Sequence, residues 1–127
     1  MITLEHANIT VSDPDATARW LGEVFGWTVR WAGAAMQTGR SVHVGTENAY
    51  VALFSPGEPK AGEEDSYATV GGLNHLAVFT DESIDAVEER VKAAGFTPIN
   101  QSAYAPGRRF YFHDNDDIEW EVASHQA

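Results

Sequence analysis

The chain has 127 residues, a mass of 13.9 kDa and a formal net charge of −11, with eight Lys and Arg against 19 Asp and Glu. This length suits one domain, and the acidic excess argues against binding to nucleic acid or to an anionic membrane. The absence of Cys excludes disulfides, cysteine-ligated zinc, iron–sulfur clusters and thiol nucleophiles from this chain. No apolar run reaches the ~18 residues that cross a bilayer, and the first residues lack signal-peptide features, so we expect a cytoplasmic protein.

The first half of the chain predicts one strand, one helix and three further strands. Residues 2–11 are β-rich and predict a strand. Asp13 is a candidate helix N-cap ahead of Pro14, and Gly26 is a candidate helix end. An apolar stripe at helical spacing lies between them: Trp20, Leu21, Val24 and Phe25. Three strand-like runs follow, at about 27–33, 40–46 and 49–55.

The second half of the chain predicts the same order of elements. It follows residues 56–71, which are rich in Gly, Pro and acidic residues and predict a linker. A strand is predicted over 72–80, then a helix with Asp81 as its candidate cap and Gly95 as its end. Further strand-like runs lie near 97–101, 107–113 and 118–123.

The two halves match at one offset along the chain. Moving 69 residues from His6 reaches His75, and the same step from Gly26 reaches Gly95. Element order and both helix-ending glycines agree at this offset, although sequence identity between the halves is low. The pattern predicts an α+β fold of two βαβββ modules. Each module leaves an apolar sheet face uncovered, so neither is expected to be stable alone.

Two histidines and one glutamate are candidate metal ligands. His6 and His75 lie at equivalent places in the first and fifth predicted strands, and Glu121 lies in the last. Two imidazoles and a carboxylate on neighbouring strands would form a set that leaves coordination positions open for a substrate. The alternative is that the histidines are ordinary surface residues and that Glu119 and Glu121 line a solvated face.

Three segments resemble the vicinal oxygen chelate superfamily, which includes glyoxalase I, bleomycin-resistance proteins, extradiol dioxygenases and fosfomycin-resistance thiol transferases. They are Leu4–Asp13, Gly72–Val78 and Phe110–Val122, and the resemblance covers nearly the whole chain. The third segment resembles the family's aromatic strand, Asp-Pro-Asp-Gly turn and ligand-bearing strand. Asn115 stands where Pro is usual and Asp117 where Gly is usual, and both residue types tolerate a turn.

The resemblance implies that His6, His75 and Glu121 hold a divalent ion, Fe(II), Mn(II), Ni(II) or Zn(II). Glyoxalase I has a further acidic ligand on the fourth strand, where this chain has Ala52. Because Ala52 can neither ligate nor act as a base, glyoxalase I activity is not expected. A two-His-one-Glu set is similar to that of extradiol dioxygenases and fosfomycin thiol transferases, which indicates dioxygenase-like or lyase- or transferase-like chemistry.

Three residues of the seventh predicted strand are candidate catalytic residues. Alternation puts Arg109, Tyr111 and His113 on one face, with Phe110 and Phe112 on the other. The resemblance matches Tyr111 to a tyrosine about ten residues before the ligand Glu. On the concave face, Arg109 would bind an anionic substrate group, Tyr111 would bond a metal-bound oxygen and His113 would assist proton transfer. The alternative places all three in surface or half-buried structural roles.

The sequence therefore predicts one domain over 1–127, whose sheets curl around a cleft. Module one covers about 1–55, the linker about 56–71 and module two about 72–124. The first functional hypothesis is a metalloenzyme for a small oxygenated metabolite. The second is a metal-free binding protein of the bleomycin-resistance type, for which the charge of −11 favours a cationic aromatic ligand. By resemblance, the protein is expected to form a homodimer.

Overall fold

The computed structural model describes residues 1–62, 65–104 and 107–125. The chain divides into two compact units, Met1–Ala61 and Gly62–Ala127. Each unit has the order β-α-β-β-β that the sequence predicts. None of the helices in the described residues is long and apolar enough to cross a membrane.

The first unit has an open four-stranded mixed sheet in the order β1-β4-β3-β2, in which β1 and β4 are parallel. Helix α1 packs on β3 and β4, and its buried Leu21 and Val24 face the same core as Val42, Val44 and Leu53. The elements are β1 (His6–Thr10), α1 (Pro14–Phe25), β2 (Thr28–Ala34), β3 (Arg40–Gly45) and β4 (Tyr50–Ser55).

The second unit repeats this arrangement, with strand order β5-β8-β7-β6 and a parallel pair of β5 and β8. Its core contains three large aromatic side chains, Phe110, Phe112 and Trp120, each no more than 1% exposed. The elements are β5 (Leu76–Phe79), α2 (Ile84–Ala93), β6 (Ile99–Tyr104), β7 (Gly107–His113) and β8 (Glu119–Ala123).

The ends of the two helices differ in how well the sequence predicts them. Asp13 caps α1 and accepts a hydrogen bond from Ala16 N, and Gly26 ends this helix with a φ of 73°. The prediction that Asp81 caps α2 is wrong. The helix begins only at Ile84, so Asp81 lies too far before it to act as the cap. Ser83 is the N-cap residue, and its side chain makes no cap hydrogen bond.

Candidate functional site

His75 and Glu121 come together in the second unit. Ala77 of β5 pairs with Glu121 of the parallel strand β8, and His75 lies two residues before Ala77, on the same face. The His75 Nε2 atom is 3.0 Å from Glu121 Oε1. The Glu121 side chain is almost fully buried, whereas the imidazole keeps partial access to solvent. An imidazole and a buried carboxylate thus share one end of this sheet face.

The three candidate catalytic residues of β7 lie on the same face as Glu121. The cross-strand register sets Tyr111 opposite Glu121, and Arg109 and His113 lie two residues before and after Tyr111 along β7. Arg109 Nη1 donates a hydrogen bond to Glu121 Oε2, so the guanidinium balances the buried carboxylate. The ring of Tyr111 meets the His75 ring edge-on, with centroids 5.6 Å apart. The alternation predicted for β7 is therefore the one observed.

Glu119 lies close to both His75 and His113, and it also contacts Tyr67, a residue that the sequence interpretation missed. Its Oε2 is 3.6 Å from His75 Nδ1, and its Oε1 is 3.4 Å from His113 Nε2. The hydroxyl of Tyr67 donates a hydrogen bond to the same carboxylate, and this bond raises the pKa of Tyr67 to about 12. Tyr67 lies in the predicted linker, 52 residues before Glu119, and no local pattern reveals this contact.

A pocket of about 350 Å³ adjoins this cluster within the second unit. Tyr67, His113 and Glu119 form part of its wall, together with the acidic residues Asp116 and Asp117. The pocket is large enough for a small molecule in contact with His113 and Glu119.

His6 lies in the first unit, at the start of β1. Its Nδ1 is 2.8 Å from Glu5 Oε1, and its ring stacks on Tyr50 with centroids 4.8 Å apart. The hydrogen bond with His6 lowers the pKa of Glu5. His43, on the neighbouring strand, also stacks on Tyr50, at the same centroid distance. His6 is thus one member of a row of aromatic rings.

The register explains why the first unit lacks a counterpart of Glu121. In β1 and β4, Asn8 pairs with Ala52, as Ala77 pairs with Glu121 in β5 and β8. The offset of 69 residues that the sequence suggests therefore relates these pairs. A methyl group occupies the position of the carboxylate, and within either unit alone the described residues form no group of three His, Asp or Glu suited to a metal.

The fit of a metal ion can be tested on the His75–Glu121 pair. Nitrogen and oxygen ligands lie at about 2.1 Å from a divalent transition metal, so two ligands at a right angle are about 3.0 Å apart. The observed separation of 3.0 Å is of this size. The Nδ1 atom of His75 is buried and makes no hydrogen bond to a described residue, and the nearest carboxylate oxygen, Glu119 Oε2, lies 3.6 Å away, beyond hydrogen-bonding distance. The pair therefore fits two of the three expected ligands.

Solved structures similar to the chain share its fold. A glyoxylase/bleomycin resistance protein/dioxygenase domain from Frankia sp. EAN1pec is 24% identical, with a TM-score of 0.80 and 96% of each chain covered. The fosfomycin resistance protein FosX from Mesorhizobium loti is 27% identical, with a TM-score of 0.73, and the match covers 96% of this chain and 91% of that one. A FosX variant from Listeria monocytogenes, complexed with Mn(II) and 1S,2S-dihydroxypropylphosphonic acid, is 21% identical, with a TM-score of 0.74 and coverage of 96% and 92%.

No curated protein matches the chain significantly. A family model does match, over residues 3–122, and this is nearly the whole chain. The chain belongs to the Glyoxalase/Bleomycin resistance protein/Dioxygenase superfamily.

Proposed function

We propose that the protein is a metal-dependent enzyme of this superfamily that acts on a small oxygenated molecule. His6, His75 and Glu121 are the proposed ligands of one divalent ion, Fe(II), Mn(II), Ni(II) or Zn(II). The proposal depends above all on the 3.0 Å separation of His75 Nε2 and the buried Glu121 Oε1 on one sheet face. We also propose that residues 1–127 form one domain, and that the protein is a cytoplasmic homodimer.

The comparisons support a divalent ion through a metal-bound protein of the same fold. The Listeria FosX variant is complexed with Mn(II) and a vicinal diol, so this fold accommodates both in that protein. When bound, such an ion supplies Lewis acidity to substrate oxygens. The choice among the four metals rests on ligand type, and two imidazoles with one carboxylate suit all of them.

The other residues of the β7 and β8 face have roles that follow from their contacts. Arg109 holds the Glu121 carboxylate in place, because its guanidinium already donates to Glu121 Oε2. From this contact we propose Arg109 as a positioning residue for Glu121, in place of the anion-binding role that its residue type suggests. Glu119 lies on the Nδ1 side of His75, 3.6 Å away, and would orient the ring on closing to hydrogen-bonding distance.

Tyr111 and His113 are the proposed proton-handling groups. Tyr111 borders His75, and its Oη would donate a hydrogen bond to a substrate oxygen. His113 lines the pocket of about 350 Å³ and lies beside Glu119, so its Nε2 would exchange a proton with a substrate bound there. Both groups lie on the sheet face that carries Glu121.

A second candidate function is metal-free binding of an aromatic ligand. The observation that favours it is a larger pocket in the first unit, with Trp31 and Phe54 in its wall. A binding protein of this kind has no requirement for His75 and Glu121 as a pair, so the two candidates differ in metal dependence.

Metal content separates the two candidate functions. The protein without a His-tag is purified under anaerobic conditions and measured by mass spectrometry, beside His75→Ala and Glu121→Gln. The controls are His125→Ala and Glu89→Gln, which remove a histidine and a carboxylate outside the proposed ligand set. We expect one equivalent of a divalent ion in the wild type and both controls, and loss of the ion in both ligand variants. If the wild type holds no ion, even after separate addition of Fe, Mn, Ni and Zn, the metalloenzyme is refuted and metal-free ligand binding is the remaining candidate function.

A further inference from the structure

Tyr67 belongs to a compact turn of the second unit, residues 65–72, that precedes β5. Thr69 donates to Asp65 O through both its backbone N–H and its hydroxyl, at 3.0 and 2.8 Å. Tyr67 N donates to the Asp65 side chain at 2.9 Å, and Gly72 N donates to Thr69 O at 2.8 Å. These hydrogen bonds within the turn give the backbone that carries Tyr67 a defined position.

The hydroxyl of Tyr67 donates its hydrogen bond to Glu119 Oε2. The Glu119 side chain is only 13% exposed, so its carboxylate requires polar partners within the protein. The second unit has four Lys and Arg residues, and each of them is engaged by a different carboxylate. The pairs are Arg90 with Glu82, Lys92 with Glu89, Arg108 with Asp85, and Arg109 with Glu121. The donor that stabilises Glu119 is therefore a phenol from the linker.

The oxygen that Tyr67 holds is also the one that lies close to His75 Nδ1. This nitrogen is buried, 3.6 Å from Glu119 Oε2, and makes no hydrogen bond to a described residue. When Nε2, which is 3.0 Å from Glu121, serves as a metal ligand, the ring proton is on Nδ1 and requires an acceptor. A closing of about 0.5 Å brings Glu119 Oε2 within hydrogen-bonding distance, and one oxygen can accept from both Tyr67 and His75.

We infer that Tyr67 is a positioning residue, whose hydroxyl holds the Glu119 carboxylate beside the His75 and His113 rings and thereby orients His75 as a ligand. The inference rests on the proposed function in taking His75 as a metal ligand. The ring of Tyr67 is 6.5 Å from that of His75, centroid to centroid, which is a loose contact. The effect is therefore assigned to the hydroxyl, and it adds a linker residue to the site.

Ring-nitrogen NMR of the metal-free, full-length protein tests this positioning. The ¹⁵N shifts of His75 and His113, assigned from their absence in the two Ala variants, are compared at one pH. Tyr67→Phe keeps the ring and removes the hydroxyl, so it should shift His75 Nδ1 and His113 Nε2, the two nitrogens that face Glu119. Thr69→Val removes a hydroxyl from the same turn and should leave both nitrogens unchanged. Unshifted nitrogens in Tyr67→Phe would overturn the inference.

A double-mutant cycle shows whether Tyr67 acts through Glu119. Mn(II) affinity is measured for the wild type, Tyr67→Phe, Glu119→Gln and the double variant. We expect Tyr67→Phe to lose about tenfold in affinity, and Glu119→Gln to lose at least as much, since partners of ligand histidines have effects of this size. In the Glu119→Gln background, Tyr67→Phe should change the affinity by less than about twofold. Independent, additive losses would contradict a role through Glu119.

The variants are expected to fold, because Tyr67 is 59% exposed and Thr69 is exposed, and circular dichroism would verify this. Failure of this inference is also distinguishable from failure of the proposed enzyme. Shifted nitrogens in a protein that never takes up Mn(II) would refute the metalloenzyme and leave the hold of Tyr67 on Glu119 intact. One Mn(II) per chain, lost in His75→Ala but bound equally well by Tyr67→Phe, would refute the positioning role alone.

Discussion

Replacement of Asp114 by Ala should destabilise the second unit by about 2–5 kcal/mol. Asp114 is 7% exposed and accepts hydrogen bonds from Asp116 N, Ile118 N and the Trp120 Nε1 atom, at 2.9, 3.0 and 3.1 Å. Removal of the carboxylate leaves the buried Trp120 N–H without its acceptor, which costs about 1–3 kcal/mol. The two backbone donors lie in a turn where water replaces part of the loss, so they add about 0.5–1 kcal/mol each.

The assay is urea unfolding at pH 7, followed by circular dichroism, with Asn115→Ala in the same turn as the control. Asn115 is exposed, so its replacement should change the free energy of unfolding by less than about 0.5 kcal/mol. The reasoning would be refuted if Asp114→Ala were as stable as this control. Because the turn leads directly into β8, the variant should also disturb Glu119 and Glu121.

The pH dependence of Asp114 has a definite sign. Burial raises the pKa of Asp114 and outweighs the hydrogen bonds that lower it. A folded-state pKa above the unfolded value contributes stability that is fully present below the unfolded pKa of about 3.9 and is lost as the pH rises through the folded pKa. The stability of the wild type relative to Asp114→Asn should therefore increase as the pH falls from 7 toward 4. An increase of this difference with rising pH would contradict the assignment.

The remaining predictions concern one proton and one close contact. The phenol of Tyr67 should ionise with a pKa of about 12, and Glu119→Gln should return this pKa toward 10. The measurement is ultraviolet absorbance during alkaline titration, with Tyr67→Phe to assign the signal. A Tyr67 pKa near 10 in the wild type would refute the contact with Glu119. Gly107→Ala should destabilise the protein by about 2 kcal/mol or more, because an added Cβ would lie 1.9 Å from the Ser124 carbonyl oxygen. Gly62→Ala, whose Cβ meets nothing within 4 Å, is the thermal-unfolding control, and equal melting temperatures for both variants would count against the packing.

The element order and the sheet faces could be predicted from local pattern. Asp13 and Gly26 mark the ends of α1 because capping depends on residues next to each other in sequence. The face of β7 that carries Arg109, Tyr111 and His113 follows from the period of two in any strand. The cap of α2 could not be predicted, because several polar residues precede this helix and the sequence pattern alone does not rank them.

The side-chain contacts of Glu119 and Glu121 in the site could not be predicted, because they join residues far apart in sequence. Tyr67 lies in a Gly- and Pro-rich segment and contacts Glu119 only after the second unit has folded. The hydrogen bond from Arg109 to Glu121 could not be predicted for the same reason, since the two residues lie on different strands. Periodicity does indicate that Glu119 and Glu121 share a face, but it does not indicate which partners this face meets.

Mn(II) binding tests the central claim most directly. Metal-free protein is titrated with Mn(II), and the free ion is measured by electron paramagnetic resonance for the wild type, His75→Ala and Glu121→Gln, with Glu89→Gln as the control. We expect one site per chain in the wild type and in Glu89→Gln, and affinity at least about 100-fold lower in both ligand variants, since each loses a direct metal ligand. Equal Mn(II) binding by all four proteins would contradict the assignment of His75 and Glu121 as metal ligands.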